Sequence, residues 1–377
     1  MKIAISVNSS WNIFNFRMGL ARHLMNCGFE VYAISPEDEF SSELIHAGLQ
    51  HIPVSVQSKG SSALNDIRYM LTLRSVYKKI KPDLILHYTI KPNIYGSLAA
   101  ASLGIPVINN VSGLGTVFLH DNISTKIAKA LYKMAFRFPQ KVFFQNEDDR
   151  SLFVKKNLIA INKTALIPGS GVNTEKFLPN EKKNFRKGTP FRFLLMARLL
   201  YDKGIIEYIK AIELIQARLD AIFMLAGGLD EESKLGIPAS QLQDWINRGL
   251  IEYKGFEKNS LKLYQEADCV VLPSYREGTS KSLLEAASCG IPIVTTDVPG
   301  CREVVEDGIN GFLCKVKDPE DLAMKMEALY NLPEEIYTKM AIKSREKAQK
   351  QFDEKIVIKT YEAAIVQILA AKRGQKH

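Results

Sequence analysis

The chain has 377 residues, 46% of them apolar and 24% charged, with 50 Lys and Arg against 41 Asp and Glu and a formal net charge of +9. That length supports two domains with cores of their own, and that composition excludes a disordered or fibrous chain. No apolar run is long enough to span a bilayer, and five widely spaced cysteines without a C-x-x-C pair point to reduced thiols, not a disulfide framework. The six histidines are scattered, with no two at i, i+4, so no structural zinc site is expected. The positive charge is concentrated. Residues 1–180 carry 20 Lys and Arg against 12 Asp and Glu, and the remainder carries 30 against 29. The first half is thus expected to face an anionic partner: lipid, nucleic acid or an anionic substrate.

The opening MKIAISVNSSW has one lysine and an early polar break, and reads as a first strand, Lys2–Val7, not as a signal peptide. Asn8–Asn15 reads as a polar and aromatic loop and Phe16–Cys27 as a helix. Strands are expected at Glu30–Ser35, Ile52–Val56, Asp83–His87, Val107–Asn110, Lys141–Gln145 and Lys163–Ile167. Helices are expected around Ser41–Gly48, Leu64–Ile80, Pro92–Leu103, Ser124–Phe138 and Asp148–Lys156. Short apolar strands alternating with helices of about 10–15 residues are the pattern of a parallel-sheet α/β domain. Phe177–Pro190 is polar and basic with a proline at its end, and is read as the linker between a first domain, 1–180, and a second, 190–350. The pattern then restarts, with strands at Phe191–Ala197, Ala221–Leu225, Ile251–Tyr253, Cys269–Leu272 and Ile293–Thr296 and helices between them. A last helix, 353–371, is apolar on one side and is expected to pack back across the domain junction.

Two loops of the second domain carry chemistry. Glu277-Gly278-Thr279-Ser280 follows the strand at Cys269 and opens a helix near Ser282, whose free N–H groups and dipole suit a phosphate. Glu277 lies in that turn and Glu285 inside the helix. Arg198 and Lys203 follow the first strand of the second domain, at the carboxyl end where open α/β sheets bind ligands, and a guanidinium with an ammonium can clamp a diphosphate. There is no G-x-G-x-x-G after the first strand and no G-x-x-x-x-G-K-[ST]. Gly169-Ser170-Gly171 follows a strand without opening a long helix.

Arg198 with Lys203, the Glu277-to-Glu285 spacing and the run Gly290-Ile-Pro-Ile-Val resemble the retaining glycosyltransferases of family 4. Ala226-Gly227-Gly228, Pro299-Gly300 with Glu303, and Gly308 with Gly311-Phe312 fit the same pattern. The likeness is strong over Leu166–Leu313. The first domain resembles, through Phe16-Arg17, Pro92–Gly96 and Gly113-Leu114-Gly115, the acceptor domains of bacterial enzymes that build O-antigen, capsule or lipid-linked oligosaccharide. The resemblance implies the GT-B fold, two Rossmann-like domains facing across a cleft. It implies that Arg198 and Lys203 hold the pyrophosphate of a nucleotide-sugar, that Glu285 accepts from the ribose hydroxyls and that Glu277 lies by the donor sugar. Backbone at Gly278, Thr279 and Ser280 would meet sugar or diphosphate, with Gly227 and Gly171 also lining the nucleotide. Thr279 and Ser280 stand where many members have an aromatic residue and a proline.

The expected reaction is retaining transfer of a hexose or N-acetylhexosamine from a UDP-linked donor to a polyprenyl-diphosphate saccharide, without a cofactor or metal. No Asp-x-Asp pair is present to hold a metal, and Asp148-Asp149 reads as a helix N-cap. His87, at a strand end, is placed with the catalytic groups alongside Arg198, Lys203 and Glu277. Asn15, Arg17, Lys91, Asn110 and Gly113 are the acceptor-side candidates. His23 shares a helix with Leu20 and Leu24 and reads as structural. Lys126, Lys129, Lys133 and Arg137 form one stripe beside Leu131, Met134 and Phe138, and Lys78, Lys79 and Lys81 add another patch. Together they predict peripheral docking on the anionic inner face of the plasma membrane, from the cytoplasm. No nucleic-acid module is legible. Two other readings share the architecture: a non-hydrolysing sugar-nucleotide epimerase and a nucleotide-sugar-binding regulatory protein without turnover.

Overall fold

Runs such as Leu84–Tyr88 (LILHY) and Cys269–Leu272 (CVVL) are buried at every position. Strands apolar on both faces need cover on both faces, which crossover helices supply in a parallel sheet. The computed structural model describes residues 1–56, 63–113, 123–180, 190–230, 233 and 235–374. It divides into two units, one formed by Met1–Ser170 with Glu354–His377 and the other by Gly171–Asp353.

The first unit contains β1 (Lys2–Ser6), α1 (Ser10–Phe16), α2 (Met18–Asn26), β2 (Glu30–Ser35), α3 (Ser41–His46), β3 (Gln50–Pro53), α4 (Ala63–Ile80), β4 (Leu84–Tyr88), α5 (Ser97–Ala101), β5 (Val107–Val111), α6 (Ile123–Ala135), β6 (Lys141–Phe144), α7 (Glu147–Lys155) and β7 (Thr164–Leu166). Its strands are all parallel, in the order β3-β2-β1-β4-β5-β6-β7. The second unit contains β8 (Phe191–Met196), α8 (Ile205–Ile215), β9 (Ala221–Ala226), α9 (Ala239–Asn247), β10 (Glu252–Tyr253), α10 (Ser260–Glu266), β11 (Cys269–Leu272), α11 (Lys281–Ser288), β12 (Ile293–Thr296), β13 (Gly311–Cys314), α12 (Pro319–Tyr330) and α13 (Glu334–Gln351). Its parallel order is β10-β9-β8-β11-β12-β13. In each sheet the chain starts in the middle, builds one side and crosses back to build the other. The crevice this leaves, between β1 and β4 and between β8 and β11, is where such sheets bind ligands.

Three sequence expectations are corrected. The segment expected as a loop at Asn8–Asn15 is largely helical. Ser9 caps α1 by accepting from the Asn12 N–H, and Ile13 is its buried anchor. Asn146, not the Asp148-Asp149 pair, caps α7, accepting from the Asp149 N–H at 2.8 Å. Phe177, expected at the start of a linker, is buried in the second unit against Tyr264. The middle of that expected linker, 181–189, lies outside the described residues.

The chain returns to the first unit in α14 (Glu354–Gly374), where Val357, Tyr361, Ile365 and Leu369 are buried with Ile3, Ile5, Leu20 and Leu24. Spacing of four and eight puts those four side chains on one helical face. The Tyr361 ring lies 4.7 Å from that of Phe143, and its hydroxyl accepts from Asn110 Nδ2 at 3.1 Å. The chain enters and leaves the second unit at neighbouring points, since the Val172 N–H donates to the Phe352 carbonyl at 2.8 Å.

A polar cluster sits inside the first unit. His87 on β4 is fully buried, with Nδ1 3.0 Å from Asn109 Oδ1 and Nε2 3.0 Å from the Tyr77 hydroxyl. A carboxamide oxygen cannot donate, so Nδ1 carries the hydrogen and Nε2 accepts from Tyr77. Burial pushes the imidazole down to about 4 from its usual 6.5, against the Asn109 hydrogen bond. The folded state therefore binds fewer protons than the unfolded state between those values. Stability is whole above pH ~6.5 and declines by about 3 kcal/mol as pH falls to about 4. Denaturant midpoints measured from pH 7.5 to 4.5 are expected to fall along this slope in the wild type. In His87→Gln the midpoint at neutral pH is expected to be lower, with a flatter decline.

Candidate active site

The loop after β8 and the loop after β11 are built onto each other at the crevice of the second unit. The Asp202 carbonyl accepts from the Tyr275 N–H at 2.9 Å and from the Ser274 hydroxyl at 3.1 Å. Gly204, at φ +71°, ends the short 3-10 turn Tyr201–Lys203 and starts α8, and a Cβ there would land on the Pro273 carbonyl. Only glycine permits both that conformation and that approach. The result is an ion pair between Lys203 Nζ and Glu277 Oε1 at 2.6 Å, with the two side chains 16% and 15% exposed.

The turn that carries Glu277 is held from its other side. The Glu277 N–H donates to the Pro299 carbonyl at 3.0 Å and the Ser280 N–H to the Gly300 carbonyl at 3.1 Å. Gly300 has φ +84°, and a Cβ on it would lie 2.5 Å from the Glu277 carbonyl oxygen. Its own N–H is fixed by Glu303 at 2.7 Å. Ser280 then becomes the N-cap of α11, its hydroxyl 3.1 Å from that of Ser282, with no side-chain hydrogen bond to a first-turn amide among the described residues. The first-turn amides of such a helix have no partner within it and carry its positive dipole end. Glu285, one turn in, is buried, with the Ser260 hydroxyl 3.3 Å from Oε2 and Lys281 Nζ 3.8 Å from Oε1. Burial raises the pKa of its carboxyl group, and Lys281 acts in the opposite direction.

Of the donor-side residues expected from sequence, Lys203, Glu277, Gly278, Thr279, Ser280 and Glu285 lie on this one construction. Arg198 diverges from Lys203. Its side chain is 62% exposed and, among the described residues, pairs with Asp230, 3.8 Å away on the loop after β9. The Ser280 amide is already bound to Gly300. Gly227 is likewise occupied, its N–H donating to the Gly255 carbonyl at 2.8 Å and its carbonyl accepting from the Tyr253 hydroxyl at 2.7 Å. Gly171, at φ +70°, is the first residue of the second unit.

In the first unit, the crevice between β1 and β4 holds Arg17. It is 4% exposed, with its guanidinium 4.0 Å from the centre of the Tyr88 ring. Among the described residues Arg17 Nε is buried without a hydrogen-bond partner, the Tyr88 hydroxyl is buried, and Tyr361, Glu354 and Ser170 line the same small pocket. The other acceptor-side candidates are spread out. Asn15 Nδ2 donates to the Trp11 carbonyl at 3.0 Å. Lys91 pairs with Asp66 at 2.8 Å, where the Tyr95 hydroxyl also donates. Asn110 is buried, with Nδ2 donating to the Tyr361 hydroxyl at 3.1 Å and Oδ1 accepting from Gln145 Nε2 at 3.3 Å. Gly113 is half-buried at φ +110°, and Leu114 and Gly115 lie outside the described residues. His87, expected beside the donor sugar, has both ring nitrogens engaged inside the core and presents neither to a ligand. Sequence reasoning missed Asp230, Tyr88 and Asp66. Asp66 left a signal, because it falls on the buried face of α4 with Tyr69, Leu73 and Tyr77.

Two Rossmann-like units, each with its functional groups at the strand-order crevice, define the architecture of GT-B transferases. The fold of Anabaena Alr3699/HepE, solved in complex with UDP and glucose, matches with a TM-score of 0.80 at 18% identity, over 97% of this chain and 99% of that one. The family described as "Glycosyl transferases group 1" matches residues 177–351, and "Glycosyl transferase 4-like" matches residues 2–146. Among curated relatives is the N,N'-diacetylbacillosaminyl-diphospho-undecaprenol alpha-1,3-N-acetylgalactosaminyltransferase of Campylobacter jejuni. It is 30% identical over 375 residues, 96% of this chain and 97% of that protein. The UDP-Gal:alpha-D-GlcNAc-diphosphoundecaprenol alpha-1,3-galactosyltransferase of Escherichia coli is 25% identical over 310 residues, 78% of each chain. The chain belongs to the group 1, family 4-like glycosyltransferases and is a glycosyltransferase of the GT-B fold.

The turn geometry yields a direct test. Gly300→Ala is expected to cost about 1–2 kcal/mol from the left-handed backbone alone, with the collision at Glu277 adding to it. Melting temperature should fall, and calorimetric affinity for a nucleoside diphosphate should fall with it.

Proposed function

We propose that the chain transfers a hexose or N-acetylhexosamine, with retention, from a UDP-sugar to a saccharide carried on polyprenyl diphosphate. The observation that carries this reading is the Lys203–Glu277 pair at the entrance to α11, at the crevice of the second sheet. The names of the Campylobacter and Escherichia relatives, both acting on diphospho-undecaprenol-linked sugars, support the acceptor class.

The diphosphate lies between Lys203, Arg198 and the first-turn amides of α11, with Glu285 accepting from the ribose hydroxyls. As the bond from C1 to the phosphate oxygen breaks, the leaving diphosphate gains a negative charge while C1 becomes cation-like. The acceptor oxygen bonds to C1 on the face the phosphate leaves, and its proton passes to a phosphate oxygen. Cations and amides fixed in advance stabilise the added charge more than they stabilise the bound donor, which is what lowers the barrier. Arg198, mostly exposed, swings from Asp230 to the phosphates. Arg17, a buried cation stacked on Tyr88, is the acceptor-side group placed to meet the lipid-linked diphosphate.

Among the described residues no helix is long and apolar enough to cross a membrane. Access to a lipid-linked acceptor then comes from docking. On and just after α6, the exposed side chains include Lys126, Ile127, Lys133, Met134, Arg137 and Phe138. Lys129 is half-buried. Lys78, Lys79 and Lys81 are also exposed. Each basic group near an anionic leaflet contributes about 1 kcal/mol, and apolar side chains between them can enter the headgroup layer.

Transfer is tested with purified protein, a panel of UDP-sugars and a synthetic polyprenyl-diphosphate saccharide, the anomeric configuration being read by NMR. Arg198→Ala and Lys203→Ala are each expected to lower kcat/KM about 100–1000-fold with the fold intact by circular dichroism. Wild-type rates in both would refute the assignment. Glu285→Gln is expected to raise donor KM about tenfold or more, the worth of hydrogen bonds to a charged acceptor. A Lys133→Glu/Arg137→Glu variant should lose flotation with anionic liposomes at low salt, yet keep its rate on a short-chain acceptor. Retained flotation removes α6 from the docking surface.

A further inference from the structure

We propose that His23, Cys27 and Glu362 form a binding site for a zinc-type divalent cation that fastens α14 to α2. The residues come from two helices of the first unit. His23 and Cys27 are one helical turn apart at the end of α2, and Glu362 lies on α14 beside them. His23 Nε2 is 3.2 Å from Glu362 Oε2 and 3.6 Å from Cys27 Sγ, and Cys27 Sγ is 4.0 Å from Glu362 Oε1. Zinc bonds of about 2.0–2.1 Å to nitrogen, 2.3 Å to sulfur and 2.0–2.2 Å to oxygen place tetrahedral ligands about 3.3–3.6 Å apart. The imidazole–sulfur separation already matches, and the two Glu362 oxygens lie one towards each, so a turn of the half-exposed carboxylate brings a single oxygen within reach of both. The donor set selects the metal. Thiolate with imidazole suits Zn2+ or Co2+ and not the oxygen-seeking Mg2+ or Ca2+.

The surroundings permit loading. The His23 and Glu362 side chains are 33% and 42% exposed and Cys27 is exposed, so the fourth tetrahedral position opens to water. Cys269, Cys289, Cys301 and Cys314 are all buried, which leaves Cys27 as the thiol that solution reagents reach. Binding displaces the thiol proton, so affinity rises with pH. α2 starts near the carboxyl edge of the sheet, after β1, and runs back to the amino edge where β2 starts. His23 and Cys27 therefore sit at the end of the unit opposite Arg17 and Tyr88. The site serves cohesion of the first unit and is independent of the transfer chemistry. The proposed site departs from the sequence expectation of a structural His23 and no structural zinc site.

The ordinary alternative is a His23–Glu362 ion pair beside a free thiol, and the experiment separates the two. Full-length protein stripped with chelator is titrated with Zn2+ by calorimetry and with Co2+ by absorption spectroscopy. Expected are one equivalent of Zn2+, a thiolate-to-cobalt charge-transfer band with tetrahedral ligand-field bands, and a raised melting temperature. Zinc should also protect Cys27 from iodoacetamide, read by peptide mass spectrometry on the wild type. Cys27→Ser and Glu362→Gln should each weaken Zn2+ binding at least tenfold, and Cys27→Ser should abolish the charge-transfer band while sugar transfer stays unchanged. Alkylation of Cys27 at the same rate with and without zinc, a cobalt spectrum lacking the thiolate band, or Zn2+ affinity unaltered in Cys27→Ser overturns the proposal.

Discussion

The second unit depends on a cation and a carboxylate being kept together at a place where neither is well hydrated. Desolvating Lys203 and Glu277 costs about as much as their attraction returns, so the pair is a poor source of stability. What keeps it is backbone: the Asp202 carbonyl that takes two donors from the next loop, and glycines at 204 and 300 where the chains nearly touch. The pair is better understood as a charge held ready. On the proposed reading, a diphosphate approaching Lys203 would be drawn by the helix end and resisted by Glu277, and the balance would tip further its way as the leaving group takes on an extra charge. Selectivity for that later state over the bound donor is what a transferase needs.

The two halves of the chain solve the same electrostatic problem differently. Both sheets reverse strand order beside their first strand, and both place a poorly hydrated cation at that point. In the second unit the cation has a carboxylate. In the first, Arg17 lies on the face of Tyr88, whose ring offers partial negative charge without neutralising it. Arg17 and burial pull the Tyr88 hydroxyl in opposite directions, with burial dominant and its pKa raised.

Much of this was legible in the sequence, for identifiable reasons. Strands buried on both faces are continuous apolar runs, so LILHY and CVVL announce themselves, and the alternation with helices fixes a parallel sheet. Glu277-Gly278 and Lys203-Gly204 stand where strands end, which is visible from local turn chemistry. Strand order is a property of packing and was not visible. The partner of Arg198 was missed because Asp230 lies on another loop, 32 positions later. His87 misled because a strand end looks like a ligand edge, yet Tyr77 comes down from α4 and Gly96 leaves no gap over the ring. α1 was hidden because Ile13 is its one buried apolar residue. The spacing of Val357, Tyr361, Ile365 and Leu369 shows a helix with a buried side but not which core receives it.

That last helix bears on how the molecule comes to be made. The second unit is contiguous in sequence and can fold as soon as it has left the ribosome. The first is interrupted, and the residues that cover Ile3, Ile5 and Leu24 are synthesised only after some 180 intervening residues. Through that interval the earlier half waits with an uncovered apolar face, so its completion follows that of its younger neighbour. Truncation before α14 would leave that apolar face of the amino-terminal half uncovered.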